Sequence, residues 1–174
     1  MSIPCRVLFS EEQIKAKVRE LAAQINEKYR GQTVVCLCIL KGASIFYADL
    51  VRELDCDAQF DFMAVSSYGA STKTTGSVQI IKDMTADILD KHVLIIEDIL
   101  DTGLTLHYIR DILLKRRPAS IEICCLLDKP SRRRADINAD YTGFVIEDRF
   151  VVGYGLDYAE HYRNLKDVCE LDMA

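Results

Sequence analysis

Short apolar runs at residues 34–40, 93–96 and 121–127, the last broken only by Glu122, are separated by segments whose apolar residues recur at helical spacing. A run that is apolar at every position, rather than at every second one, belongs to a strand buried on both faces. Such strands are those of a parallel sheet covered by helices above and below. The clearest helical segment opens at Ser10, where Gln13 completes a capping box, and continues through Ile14, Val18, Leu21 and Ile25 at spacings of four, three and four. It predicts a helix over residues 11–29, closed by Gly31. Further helices are predicted over 44–54 and 104–115, and strands over 34–40, 60–66, 78–82, 92–97 and 121–127, with short strands later at 144–146 and 150–154. This alternation specifies an α/β fold with a parallel sheet, in which ligands collect beyond the carboxyl ends of the strands. Lys41, Asp98, Asp128 and Lys129 all fall there.

A chain of 174 residues suits one domain, and no linker, repeat or low-complexity tract divides it. The net charge of −5 argues against a general nucleic-acid or anionic-membrane surface. Residues 1–13 lack the apolar core of a signal peptide, and no apolar stretch nears the ~20 residues of a membrane span, so a cytoplasmic protein is expected. Seven cysteines, none in a C-x-x-C arrangement, read as reduced thiols acting as small apolar side chains. The basic run Arg132, Arg133 and Arg134 reads as a solvated or oligomer-contact surface.

The chemistry concentrates in residues 93–106, where an apolar strand runs into three carboxylates, a glycine turn and a helix. Glu97, Asp98 and Asp101 crowd negative charges that repel unless a cation, sugar hydroxyls or a proton compensates them. Directly after them, Thr102, Gly103 and Thr105 offer hydroxyls and free N–H groups at a helix N-terminus, which favours an anion. One loop therefore suits both a polyol or metal and a phosphate. Residues 67–77, almost entirely Ser, Thr, Gly and Ala, predict a mobile loop with little to anchor it.

This loop, together with Leu40-Lys41-Gly42, Ser67-Tyr68-Gly69, Leu127-Asp128-Lys129-Pro130 and the segment from Phe150 to Asp157, resembles the type I phosphoribosyltransferase family in its purine branch, over nearly the whole chain. The resemblance implies a parallel-sheet core over about residues 11–140 and a small hood built from about 1–10 and 141–174. It implies transfer of the 5-phosphoribosyl group from 5-phosphoribosyl-1-pyrophosphate to hypoxanthine, with guanine as a second base, giving IMP or GMP and pyrophosphate with Mg2+. By the same resemblance Glu97 and Asp98 hold ribose hydroxyls and the metal, with Asp157 a second metal position near the base. Asp101 exchanges a proton with the purine, and Thr102, Gly103, Leu104 and Thr105 wrap the 5′-phosphate. Lys41, Gly42, Ser67, Tyr68 and Arg163 meet pyrophosphate, with Ser67 and Tyr68 starting a lid. Lys129 donates to the 6-oxo group, Phe150 stacks on the base and Val151 presents its backbone to the base edge. Many relatives carry a basic residue where this chain has Leu104, so phosphate affinity falls to the backbone. A homodimer or homotetramer is implied, as is a cis peptide between Leu40 and Lys41.

Individually these residues have plainer readings. Asp101 suits a helix N-cap, Lys41-Gly42 a simple turn, and Phe150 a core aromatic. An aspartate-nucleophile phosphatase also places acids after an apolar strand, but with one residue between its two aspartates, whereas two separate Asp98 from Asp101. A P-loop is absent, and a ligand-sensing regulator on this fold would need a basic face or an added DNA-binding segment.

Overall fold

In the computed structural model, which describes residues 5–67 and 78–171, strand β1 (Cys5–Phe9) leads into helix α1 (Glu11–Lys28). Ser10 Oγ accepts a hydrogen bond from the Gln13 N–H at 3.3 Å, and Gln13 Oε1 accepts one from the Ser10 N–H at 2.9 Å, so the capping box is complete. The predicted stripe of Ile14, Val18, Leu21 and Ile25 is buried. Strand β2 (Thr33–Leu40), helix α2 (Ser44–Arg52), strands β3 (Asp57–Ser67) and β4 (Val78–Lys82), strand β5 (His92–Leu100), helix α3 (Leu104–Leu114) and strand β6 (Ser120–Asp128) follow. Strands β7 (Tyr141–Val145), β8 (Val151–Val152) and β9 (Val168–Leu171) complete the described chain.

The main sheet runs in the order β4-β3-β2-β5-β6-β7, parallel throughout except for β4, which pairs antiparallel with β3 at the edge. Both faces of its centre are covered. Val34, Cys36 and Cys38 of β2 pack on the side of α1 and α2, while Val35, Leu37 and Ile39 pack on the side of α3 with Ile109 and Leu113. The unbroken apolar runs follow from this two-sided burial. All seven cysteines are free, and burial pushes the Cys36 and Cys38 thiols up to about 12, which leaves them inert.

Two expectations need correction. The short strand placed at 144–146 spans Tyr141–Val145 and pairs in parallel with β6, so it extends the main sheet and is not part of the hood. The smaller sheet has the order β1-β9-β8 and takes only β8 from the 150–154 segment. Tyr141 is held in the main sheet from its tip, because its hydroxyl donates to Glu122 Oε2 at 2.6 Å. The second correction concerns the acids: β5 runs past the expected end at Glu97 to Leu100, pairing Ile99 with Leu127, so Asp98 lies within the strand along with Glu97.

Candidate active site

Chain connections leave β2 and β5 in opposite directions, to β3 on one side and β6 on the other, so the carboxyl ends of these neighbours border an open crevice. Lys41-Gly42 leaves β2 there, and Asp98 lies two residues before the end of β5. The two touch. A Cβ on Gly42 would lie 1.8 Å from Asp98 Oδ2, so only glycine fits beside that carboxylate. The Leu40–Lys41 peptide is cis. Lys41 reaches out to Glu160, Nζ to Oε2 2.9 Å, on the segment before β9.

Glu97 is 9% exposed, and burial, reinforced by the neighbouring Asp98, raises its carboxyl well above the usual range. Burial raises Asp98 too, opposed by the Ile99 N–H and the charge of Arg163. Arg163 donates to the Gly155 carbonyl at 2.8 Å and pairs with Asp157 at 3.0 Å, while its Nε is buried without a partner among the described residues.

Asp98, Asp101, Lys129, Phe150, Val151 and Asp157 line one cavity of about 560 Å³, together with Arg132 and Asp148. Elements far apart in sequence supply these side chains: β5, the turn after β6, and the approach to β8. Lys129, only 7% exposed, donates from Nζ to the Arg149 carbonyl at 2.5 Å and stands 3.9 Å from Asp148. Phe150 presents a ring to the cavity, packed edge-on against Tyr158 at 5.5 Å, and is 41% exposed, so it is no core aromatic. The carboxylates facing this space come without His or Cys among the lining residues, an oxygen-only donor set suited to a hard divalent cation that keeps waters and substrate oxygens. No group of three or more His, Cys, Asp or Glu forms a ready-made metal cage among the described residues. A magnesium ion would share its coordination with substrate, and Asp98 and Asp157 fit that use.

A second cavity, of about 150 Å³, opens at the start of α3 and is lined by residues 97–103 with Thr105 and Leu106. Gly103 takes the cap position with φ +78°, where a Cβ would strike Ile137 at 2.6 Å. Asp101 does not cap this helix, which removes the N-cap reading. The N–H groups of the first turn have no carbonyl one turn back within the helix. Leu104 is exposed and absent from the cavity wall, and its N–H meets only Thr102 Oγ1, at 3.5 Å. Ser67 ends β3, whereas Tyr68 and the rest of the expected lid lie outside the described residues.

A family model for the phosphoribosyl transferase domain matches residues 8–159. The chain belongs to the phosphoribosyltransferase family. Within that family it stands in the hypoxanthine-guanine branch. It is 52% identical over 160 residues to the hypoxanthine-guanine phosphoribosyltransferase of Bacillus subtilis, covering 92% of this chain and 89% of that protein. The corresponding Staphylococcus aureus protein is 54% identical over 159 residues, covering 91% and 89%. A crystal structure of the Bacillus anthracis hypoxanthine-guanine phosphoribosyltransferase superposes with a TM-score of 0.91 at 46% identity, covering 95% of this chain and 98% of that one.

In this phosphoribosyltransferase Arg132 and Arg134 are exposed, as the expected solvated or oligomer-contact surface requires, but Arg133 is partly buried and two of the three arginines also make specific contacts. Arg132 reaches Asp101 and Asp148, both at 3.2 Å, and lines the larger cavity. Arg133 pairs with Asp128 and donates to the carbonyls of Asp101, at 3.1 Å, and Ile137, at 2.7 Å. Sequence reasoning also missed Asp148. The available signal was the position of the run one residue after Lys129-Pro130: a 3-10 turn over Pro130–Arg132 folds Arg132 and Arg133 back toward the acidic loop. No helix among the described residues is long and apolar enough to cross a membrane.

Proposed function

We propose that this chain salvages 6-oxopurines, transferring the 5-phosphoribosyl group of 5-phosphoribosyl-1-pyrophosphate to hypoxanthine and guanine to give IMP and GMP. The observation that carries this reading is the shared wall of the larger cavity. Lys129, Phe150, Val151, Asp98, Asp101 and Asp157 line it together, and Asp98 and Asp101 also line the smaller cavity at the start of α3.

The bond from the sugar C1′ to pyrophosphate breaks while a bond to the purine N9 forms, so positive charge develops on the ribose and negative charge on the leaving group. Asp98, backed by Glu97, holds the ribose hydroxyls and stabilises the sugar's positive charge. First-turn N–H groups of α3 and the hydroxyls of Thr102 and Thr105 grip the 5′-phosphate. Lys41 and Arg163 face the departing phosphates, with the Gly42 turn close against Asp98. Asp101 takes the proton from N7 of the base, an effect typically worth ~10²–10⁴-fold. Lys129 donates to the 6-oxo group, and because an ammonium only donates, the amino group of adenine is a poor partner. Magnesium, when bound by Asp98, Asp157 and substrate oxygens, neutralises charge on the phosphates. Ser67 and Tyr68 begin a cover that keeps water from the sugar. A homodimer or homotetramer and a cytoplasmic location complete the reading.

Steady-state kinetics test it. With phosphoribosyl pyrophosphate and magnesium, hypoxanthine and guanine should turn over, adenine should fail by at least about a hundredfold, and chelation should abolish the rate. Comparable use of adenine, or turnover insensitive to chelation, would contradict the proposal.

A further inference from the structure

Around the larger cavity four charged side chains alternate in sign: Asp101, Arg132, Asp148 and Lys129. Arg132 Nε lies 3.2 Å from Asp101 Oδ1, Arg132 Nη1 lies 3.2 Å from Asp148 Oδ2, and Asp148 Oδ1 lies 3.9 Å from Lys129 Nζ. Asp101 and Lys129 are the two groups assigned above to the base. Arg132 and Asp148 have no part in that assignment, yet they link its two members along the wall of the cavity.

We propose that Arg132 is a positioning residue for Asp101: it holds Oδ1 so that Oδ2 faces the base, and Asp148 in turn holds the guanidinium in place. This inference rests on the proton-transfer role given to Asp101. The geometry supports it in three ways. First, the contact is single and through Nε, and Asp101 Oδ2 accepts no hydrogen bond from the described residues, so one carboxylate oxygen is engaged and the other is left for a ligand. Second, the Asp101 side chain is 38% exposed on a loop and would otherwise rotate freely, whereas proton transfer tolerates little misplacement.

Third, the two neighbouring arginines divide their work. Arg133, 14% exposed, pairs with Asp128, donates to the main-chain carbonyls of Asp101 and Ile137, and carries the structural load of the turn. Arg132 is 44% exposed, and its side chain bonds only to the two carboxylates, an exposed arrangement that adds little to folding. The 3-10 turn sets its place: the Arg132 N–H donates to the Lys129 carbonyl at 3.1 Å, so the residue that binds the 6-oxo group also starts the turn that aims Arg132 at Asp101. One short segment thereby controls both contacts to the base.

The test uses Arg132→Ala, Arg132→Lys, Asp148→Asn and the double variant Arg132→Ala/Asp148→Asn, with Asp101→Asn in parallel. For Arg132→Ala, kcat with hypoxanthine should fall about tenfold while KM for phosphoribosyl pyrophosphate moves by no more than about twofold and the thermal midpoint holds. Arg132→Lys should recover part of the rate. Asp148→Asn should cost less than Arg132→Ala and add nothing in its background, since Asp148 acts through the guanidinium. Unchanged kcat in Arg132→Ala, or an Asp148→Asn effect equally large without Arg132, overturns the proposal. If Asp101→Asn loses turnover while Arg132→Ala keeps it, the positioning role alone fails. If Asp101→Asn itself keeps turnover, the role of Asp101 fails and the positioning role with it.

Discussion

Lys129 shows how much a single side chain is asked to do in this site. It is nearly buried, and Arg149's carbonyl occupies its ammonium at 2.5 Å before any base arrives. A 6-oxo group replaces one acceptor with another, whereas adenine would set an amino group against a donor. Replacing it by Met should therefore lower kcat/KM for hypoxanthine by about 10- to 100-fold, the range of a charged hydrogen bond, and narrow the gap to adenine. Steady-state rates for the two bases check this, and an unchanged ratio between them would remove Lys129 from base selection. At this scale the sequence is uneven to read. Glu97, Asp98 and Asp101 announce themselves because their charges are crowded within one loop. Arg132 does not, because its partners lie 31 and 16 residues away and become neighbours only after folding. Asp148 is hidden for the same reason.

The elements carry these residues to their places, and each can be perturbed on its own. Helix α1 covers one face of the sheet with a stripe that its spacing already revealed, and the capping box fixes where it begins. Its first turn is also tied to the segment before β9, since the Glu11 N–H donates to Asp167 Oδ1 at 2.8 Å. Ser10→Ala should cost about 1 kcal/mol of stability by removing the cap's acceptor, measurable by chemical denaturation, while kcat stays unchanged. A loss of activity without loss of stability would contradict the view that α1 only supports the sheet. The acidic loop is braced differently, from the main chain. Lys129 N donates to the Leu100 carbonyl at 2.9 Å, and Arg134 N to that of Thr102 at 2.9 Å, so the turn after β6 underpins the loop after β5. Helix and strand positions were legible because burial on one stripe or on two faces leaves a periodic pattern. This bracing was not, because main-chain hydrogen bonds leave no mark on side-chain identity.

Across the whole molecule, the strand order creates the site. Placing β2 beside β5 sets Gly42 against Asp98, and placing β6 on the other side of β5 puts Lys129 and Asp101 on the wall of one cavity. The parallel sheet was legible in the sequence from its doubly buried strands. The membership of β7 was not, because a five-residue strand pairs with whichever edge tertiary packing offers, and Phe144 of β7 stacks on Phe9 of β1 at 4.0 Å, touching both sheets. The β1-β9-β8 sheet flanks the larger cavity through Val151, with Phe150 directly before β8, while the start of α3 borders the smaller one, and Asp98 and Asp101 line both. The decisive measurement is a crystal structure of the protein with inosine monophosphate bound. The phosphate should sit against residues 102–105, the ribose hydroxyls at Glu97 and Asp98, and the base between Phe150 and Lys129, with its N7 at Asp101. A nucleotide bound elsewhere, with the acidic loop and the start of α3 untouched, would contradict the account.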